Sequence, residues 1–258
     1  MLTLDTTFGF LASDSIVRLA RVFSALSSCR DDLKRYYNDV REKKVPKFSC
    51  LFPNPTPVVP SDVLPDLTYK QFLSRTGQPA SVLVDLGNTT TAMYIATLNG
   101  TDKEVVVKFT VRYNEVAHRI LAEAGFAPAL HFCGRVVGGM YMVVMDRVEG
   151  KSLLQLQRDD AGIPPVALEH VRQAIRLLHE ENIVFGDLRV PNVLYDASKG
   201  RAILIDFDWP GLDEVDRYPA TLNKSHDWAE DVLPYGIMHK AHDLWQIQRL
   251  ERLLQRSA

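Results

Sequence analysis

Apolar residues near the N-terminus recur every three or four positions from Ser15 to about Lys43. This spacing is typical of a helix with one buried stripe, and Ser13 or Asp14 is suited to cap its start. Six prolines between residues 46 and 65 then exclude regular structure, which predicts an extended connector, with a weak helix or turn after it in "LTYKQFLSRTG". The stripe of the first helix consists of Ile16, Leu19, Ala20, Phe23, Leu26, Leu33, Tyr37 and Val40.

The hydrophobic period changes to that of strands between residues 81 and 110. The runs "SVLVDL", "TAMYIATL" and "EVVVKFT" are short and rich in β-branched residues, and "NGTD" is a turn signal. We therefore predict three antiparallel strands in a meander. Helical spacing returns in "YNEVAHRILAEAG", which Gly125 and Pro128 stop, and two further strands follow in "LHFCGRV" and "MYMVVMD".

The second half of the chain is predicted to be mainly helical. "PPVALEHVRQAIRLLHEENI" places Val166, Val171, Ile175 and Leu178 on one stripe behind a Pro-Pro start. "VLYD" and "AILIDFD" flank the turn "ASKG" and predict a small hairpin. The order of elements is thus α+β: a small antiparallel sheet with one helix, then a mainly helical part.

Composition narrows the class of protein. With 258 residues, 46% hydrophobic and 24% charged, the chain can bury one sizeable core or two small ones. A net charge of -2 makes nucleic acid an unexpected main partner. Three widely spaced cysteines indicate reduced thiols, hence a cytoplasmic or nuclear location. The N-terminus has no basic leader and no run of about 18 apolar residues occurs, so neither secretion nor membrane spanning is expected.

Polar residues with chemical potential lie between the predicted elements. "IVFGDLRVPNVLYD" places Asp187 and Asn192 five residues apart on a loop between a helix and a short strand. Lys108 follows three valines, where an unpaired ammonium would be costly to bury. Asp206 ends the second strand of the predicted hairpin. A carboxylate on such a loop can orient a hydroxyl group, and a nearby amide oxygen can hold a metal ion.

Together these segments resemble the protein kinase-like superfamily over roughly residues 81 to 250. The family has a lysine on the third strand, a glutamate on the next helix, an H-R-D-x-x-x-x-N loop and a D-F-G segment. The corresponding segments here are "VVVKF", "YNEVAH", "FGDLRVPN" and "IDFD". The resemblance implies a two-lobed fold that uses ATP and Mg²⁺. The implied catalytic residues are Asp187, Lys108, Arg189 and Glu115, and the implied metal ligands are Asn192 and Asp206.

The resemblance also assigns roles. Asp187 would orient the attacking hydroxyl, and Arg189 would reach the transferring phosphate. Lys108 would hold the α and β phosphates while a carboxylate of the following helix holds Lys108. Glu115 is the first choice for this partner, although its position in the first turn also suits the helix dipole, and Glu123 is the alternative.

The adenine site is implied in the same way. "VVMDRVEGKSL" resembles the hinge between the lobes, with Met145 as gatekeeper and the Asp146 carbonyl and Val148 amide facing the base. "DLGNTTTAMY" takes the place of the glycine-rich loop but keeps only Gly87 of the family pattern G-x-G-x-x-G. Gly87, Asn88 and Thr89 are the candidate phosphate contacts.

Several positions depart from the family pattern. "FGD" lacks the arginine of H-R-D and is similar to the H-G-D of aminoglycoside and choline phosphotransferases. "DFD" places Asp208 where the family has glycine, as a further metal ligand or a stiffening residue. "HDLWQI" resembles a later helix whose Asp243 would accept hydrogen bonds from the catalytic loop.

We expect three parts: an N-terminal helix and connector (1–78), a kinase-like N-lobe (79–146) and a C-lobe (147–258) cut short as in RIO and KEOPS-associated kinases. The leader, "VVVKFTVRYNEVAHRILAEAGFAPALHFC" and "MYMVVMDRVEG" resemble fungal, basidiomycete-type kinase-like proteins. The expected activity is transfer of the γ-phosphate of ATP to Ser or Thr of a protein. The alternatives are a small-molecule alcohol as acceptor, and a pseudokinase that binds partners through the N-terminal helix.

Overall fold

The computed structural model describes residues 7–42, 52–74, 77–80, 92–223 and 226–255. The chain divides into two compact units, Met1–Asn54 and Pro55–Ala258.

The first unit contains helix α1, Thr7–Glu42, which begins before the predicted start at Ser15. Ser13 and Asp14 therefore lie inside the helix and not at its start. The side chains described on this helix, from residue 15 to residue 38, are all exposed. The exposed fractions of Ile16, Phe23 and Tyr37 are 66%, 62% and 64%. The helix is therefore confirmed, but the prediction that its apolar stripe is buried is wrong in this structure.

The second unit begins with a six-stranded antiparallel sheet in the order β2-β1-β3-β4-β6-β5. β4 lies inside the sheet, with Val105 and Val107 packed into a cluster on one face. Val143 and Met145 of β6 join the larger cluster on the other face. The strands are β1 (Leu67–Leu73), β2 (Pro79–Ala80), β3 (Ala92–Leu98), β4 (Lys103–Thr110), β5 (Leu130–Val136) and β6 (Met140–Asp146).

The segment predicted as a weak helix or turn is strand β1, so that prediction is wrong. Its register against β3 shifts between Tyr69 and Gln71. Because of this irregularity, the inward apolar positions are Leu67, Tyr69 and Phe72, so the last two are three residues apart instead of two. A spacing of three is typical of a helix, which explains the wrong prediction. The sheet consequently starts before residue 79, where the sequence placed the beginning of the N-lobe. "SVLVDL", predicted as a strand, lies outside the described residues.

The proline-rich connector runs along the edge of the sheet. Pro57 lies opposite Val136 of β5. The Val58 amide donates to the Arg135 carbonyl over 3.1 Å, and the Val137 amide donates to the Thr56 carbonyl over 2.8 Å. Residues 56–58 of the connector are thus extended, as predicted, and lie against residues 135–137 at the end of the outer strand β5.

Helix α2, Glu115–Glu123, joins β4 to β5 and packs against the sheet. Asn114 caps its start, since the Asn114 side chain accepts a hydrogen bond from the Ala117 amide. The buried residues of the helix are Ala117, His118 and Leu121.

The rest of the second unit is mainly helical and surrounds the largest hydrophobic cluster. Helix α4 buries Val171, Ile175 and Leu178 as predicted, but Val166 is 42% exposed and Ala167 and Ala174 complete the buried face. The predicted hairpin is β9 and β10, to which β7 adds a third strand, and β8 pairs with β11. The elements are β7 (Lys151–Ser152), α3 (Leu153–Arg158), α4 (Pro165–Glu180), β8 (Ile183–Val184), a 3₁₀ turn (Val190–Asn192), β9 (Val193–Asp196), β10 (Arg201–Leu204), β11 (Gly211–Leu212) and α5 (Lys240–Gln255).

None of the helices that the structure describes combines the length and the apolar character needed to cross a membrane.

Candidate active site

Asp243 of α5 fixes the loop between β8 and β9 by hydrogen bonds to the backbone of this loop. The two carboxylate oxygens of Asp243 accept hydrogen bonds from the Phe185 amide over 2.8 Å and the Gly186 amide over 2.9 Å. His179 Nε2 lies 2.9 Å from the same carboxylate, which is fully buried. The predicted contact between Asp243 and the loop is therefore confirmed, and it holds the residues before Asp187 in one conformation.

Gly186 is required by the shape of this loop. Its φ is +77°, a backbone conformation that residues with a side chain rarely adopt. In addition, a Cβ at this position would lie 2.4 Å from the terminal methyl of Met238. Glycine in place of the usual arginine therefore avoids both an unfavourable backbone conformation and a displacement of Met238.

Asp187 is buried and held by two neighbours. Its Oδ2 accepts hydrogen bonds from Arg189 over 2.6 Å and from the Asn192 amide group over 2.8 Å, and its Oδ1 lies 2.5 Å from Arg189 Nε. Burial raises the pKa of Asp187 to about 7, against the opposing effect of the Arg189 charge. A carboxylate in this condition can exchange a proton near neutral pH.

Lys108 and Asp206, separated by 98 positions in the sequence, meet in the structure. Lys108 Nζ lies 2.5 Å from Asp206 Oδ1 and 2.6 Å from Asp208 Oδ1. Burial disfavours the charged ammonium, but the charges of Asp206 and Asp208 outweigh it and raise the pKa of Lys108. Asp206 has a φ of +71°, a strained value for a residue with a side chain, of the kind that clusters at functional sites.

The expected pairing of Lys108 with Glu115 is not the arrangement in this structure. Glu115 forms an ion pair with Arg119 over 2.7 Å and accepts a hydrogen bond from the Cys133 thiol. Burial, the charge of Glu115 and this hydrogen bond raise the pKa of the Cys133 thiol to about 12. The alternative, Glu123, is exposed. Among the described residues, the carboxylates within ion-pair distance of Lys108 are those of Asp206 and Asp208.

His118 is the polar residue that α2 turns inward. Its ring stacks on Phe207 with centroids 4.5 Å apart, Nδ1 lies 2.6 Å from the Tyr113 hydroxyl, and Nε2 lies 2.8 Å from the Pro128 carbonyl. Burial lowers the pKa of His118 to about 4, so the ring is neutral near pH 7. The α2 helix therefore contacts the Asp206–Asp208 segment through an uncharged ring.

Asn192 and Asp206 suit the binding of Mg²⁺ by their chemistry. The Asn192 amide group donates to the Asp187 carbonyl over 2.9 Å and to the Asp187 carboxylate, which leaves Asn192 Oδ1 as an acceptor without a donor among the described residues. The Ile205 amide donates to the Asn192 carbonyl over 3.0 Å, which links the two ligand segments. In the described part of the chain, no three His, Cys, Asp or Glu side chains are grouped to hold a metal by themselves. Two oxygen ligands completed by phosphates and water are typical of Mg²⁺.

The residues expected to face adenine lie where β6 ends. Met145 is buried, Asp146 is the last residue of the strand, and Val148 follows it in irregular backbone. The Asp146 side chain pairs with Lys103 over 3.0 Å and with His131 over 2.5 Å. Gly150 approaches β9 closely, since a Cβ there would lie 2.7 Å from the Tyr195 carbonyl oxygen. Gly87, Asn88 and Thr89 lie outside the described residues, so the predicted phosphate contacts of that loop stay a prediction.

Comparison with known proteins agrees with this geometry. The chain is 27% identical over 143 residues to the serine/threonine-protein kinase Sgk1-B of Xenopus laevis and 28% identical over 143 residues to Sgk1 of Danio rerio. Each match covers 54% of this chain but only 30% of the relative. The solved structure of the Cydia pomonella granulovirus kinase PK-1 superposes with a TM-score of 0.53 at 16% identity, covering 73% of this chain and 67% of that one. The fold is protein kinase-like. No family model matches the chain.

The protein kinase-like fold places five of the sequence-predicted residues around one site, Lys108, Asp187, Arg189, Asn192 and Asp206. It adds Thr110 and His118, which sequence reasoning did not assign, and it gives Asp208 a contact with Lys108 that sequence reasoning did not predict. Thr110 Oγ1 lies 3.0 Å from Asp208 Oδ2, Asp208 contacts Lys108, and His118 supports Phe207. Thr110 follows Lys108 by two positions on β4, so the two side chains share a face of the strand. The alternation of "VVVKFT" predicts that Lys108 and Thr110 share a face, but it does not predict that both contact Asp208.

Proposed function

We propose that the protein is an ATP- and Mg²⁺-dependent phosphotransferase that moves the γ-phosphate to a hydroxyl group. The observation that carries this proposal is the meeting of Lys108 and Asp206 beside a loop that presents Asp187 and Asn192. Phosphoryl transfer requires mainly the positioning of charged groups, and this set comprises the charged and polar groups it uses.

In the proposed reaction Asp187 accepts a hydrogen bond from the attacking hydroxyl and receives its proton. Lys108 binds the α and β phosphates, and Arg189 contacts the transferring phosphate after its guanidinium leaves Asp187. Mg²⁺, held by Asn192 Oδ1 and Asp206, would neutralise charge on the phosphate oxygens. Phosphate and Asp187 compete for the same guanidinium, so substrate binding would release Asp187 for the hydroxyl.

Ser or Thr of a protein is the proposed acceptor. The support is that the curated relatives are named serine/threonine-protein kinases. A small alcohol is the alternative, because Gly186 before Asp187 is similar to the motif of aminoglycoside and choline phosphotransferases.

A role in partner binding is a second candidate function, and the exposed stripe of α1 favours it. Leu19, Leu26 and Leu33 on this helix are each at least half exposed, which is unusual for leucines spaced along one face. This role is compatible with catalysis and does not require it.

The test is incubation of the protein with γ-³²P-ATP and Mg²⁺, first with generic protein acceptors such as casein and then with small alcohols. Label in casein supports the protein acceptor, and label in an alcohol alone supports the alternative. Asp187→Asn serves as the inactive control. Absence of transfer to both acceptor classes, together with no effect of Mg-ATP on the melting temperature, would contradict the proposed function.

A further inference from the structure

The segment after β10 carries two carboxylates for one buried cation. Asp206 and Asp208 both contact Lys108 Nζ, at 2.5 and 2.6 Å, and the Lys108 side chain is 6% exposed. A buried ammonium needs a permanent counter-charge, because its desolvation is costly without one. In the proposed reaction Asp206 turns to the metal, and a second protein carboxylate is then suited to keep Lys108 oriented towards the α and β phosphates, which supply counter-charge only while ATP is bound.

Asp208 is fixed in a way that suits this task. Its Oδ1 contacts Lys108, while its Oδ2 lies 3.0 Å from the hydroxyl of Thr110. Lys108 and Thr110 are both on β4, and both are buried. The same strand therefore carries the lysine and the hydroxyl that orients its carboxylate partner.

The helix that would supply a glutamate offers none in this structure. Glu115 pairs with Arg119 and Cys133, Glu123 is exposed, and the inward face of α2 consists of Ala117, His118 and Leu121. His118 stacks on Phe207, which lies between the two aspartates in sequence. The inward position of α2 against Phe207 is thus occupied by an imidazole ring and not by a carboxylate.

We propose that Asp208 is the positioning residue for Lys108, in place of a glutamate on α2, and that it holds the lysine when Asp206 binds the metal. This inference rests on the proposed phosphotransferase function for its consequence, and on the contacts alone for the pairing. It also links two departures from the family pattern: "DFD" in place of D-F-G supplies the carboxylate that α2 does not.

The pairing is tested without any assay of activity by two double-mutant cycles on the melting temperature. The first combines Lys108→Met with Asp208→Asn, and the second combines Lys108→Met with Glu115→Gln. Asp208→Asn changes the melting temperature of the wild-type protein and of the Lys108→Met variant, and we expect these two changes to differ by about 3 °C or more. The direction of either change alone does not affect this test. Glu115→Gln should give the same shift in both proteins. A coupled Glu115 with an uncoupled Asp208 overturns the proposal.

The catalytic consequence is tested by kinetics on the same proteins. Asp208→Asn should lower kcat by about 10²-fold, the scale of a misplaced catalytic group, while Asp208→Glu restores part of it and Glu115→Gln lowers kcat less than Asp208→Asn does. If Asp208→Asn folds poorly, Thr110→Val removes the supporting hydroxyl without a change of charge and should lower kcat in the same direction. Equal kcat for wild type and Asp208→Asn overturns the proposal. If no acceptor is ever phosphorylated, the proposed function fails, and the double-mutant cycles still decide the pairing.

Discussion

At the scale of single residues, Asp187 and Asp206 have different surroundings. Asp187 is enclosed by Arg189 and Asn192, whereas Asp206 contacts the cation of Lys108 and has a strained backbone. The first arrangement suits a group that meets a hydroxyl, and the second suits a ligand of a metal on phosphate.

The two aspartates should therefore differ when replaced. Asp187→Asn should reduce transfer by roughly 10²–10⁴-fold and leave stabilisation by Mg-ATP intact, because both proposed metal ligands remain. Asp206→Asn should also abolish transfer but reduce the Mg²⁺-dependent part of the stabilisation. Thermal shifts with ATP, with and without Mg²⁺, measure this. The assignment is untenable if the Asp187 variant loses metal-dependent binding while the Asp206 variant keeps it.

Gly186 gives a second prediction at this scale. Gly186→Ala should destabilise the protein by about 1–3 kcal/mol, because of the positive φ and the contact with Met238. Gly200→Ala is a matched control, since Gly200 also has a positive φ, of +61°, but nothing within 4 Å of a Cβ. Chemical denaturation should show the larger loss for Gly186→Ala. Equal losses would mean that Met238 moves freely away.

At the scale of elements, α2 shows why sequence reasoning located some of the site and missed the rest. Asp187, Asn192 and Asp206 lie on short loops that follow predictable elements, so their order in the chain was enough. The partner of Lys108 depends on how α2 is rotated about its axis against the sheet, which spacing alone does not reveal. His118 occupies the inward position of α2. Strand β1 was not predicted because its register shift changes the spacing of its apolar residues.

The neutral ring of His118 makes stability depend on pH. The pKa of His118 is about 4 in the folded protein and 6.5 in the unfolded chain. Between these two pH values the unfolded chain binds a proton at His118 and the folded protein does not. Stability should fall as pH is lowered through this window, by roughly 2 kcal/mol at pH 5 from this residue. His118→Phe keeps a ring against Phe207 and removes the titration. Denaturation at pH 7.5 and pH 5 should show a smaller loss for the variant; an identical loss would mean that His118 is not the cause.

At the scale of the whole molecule, the segment after Asp208 is already packed. Val184, Tyr218, Val232 and Met238 belong to a separate buried cluster, and the Arg112 guanidinium donates to the carbonyls of Trp209 and Arg217. These hydrogen bonds connect the segment to the N-terminal part of the unit. They form without a phosphate group on the segment.

Activity should consequently not depend on phosphorylation of this segment. Gly186 provides no guanidinium to bind a phosphate on Thr221 or Ser225. Protein made in bacteria and treated with phosphatase should keep its rate of transfer, measured before and after treatment. A large decrease after dephosphorylation would contradict this prediction.

The connector beside β5 has a consequence for aggregation. A sheet edge with free amides and carbonyls recruits further strands, and Pro57, which has no amide hydrogen, is a poor template for one. The connector thus shields the end of one rim of the sheet, beside residues 135–137, from other copies of the chain, while β1 shields β3. A chain beginning at residue 79 would lose both shields at once, whereas a chain beginning at residue 55 keeps them. Gel filtration should show the shorter chain as large oligomers and the longer one as a single compact species.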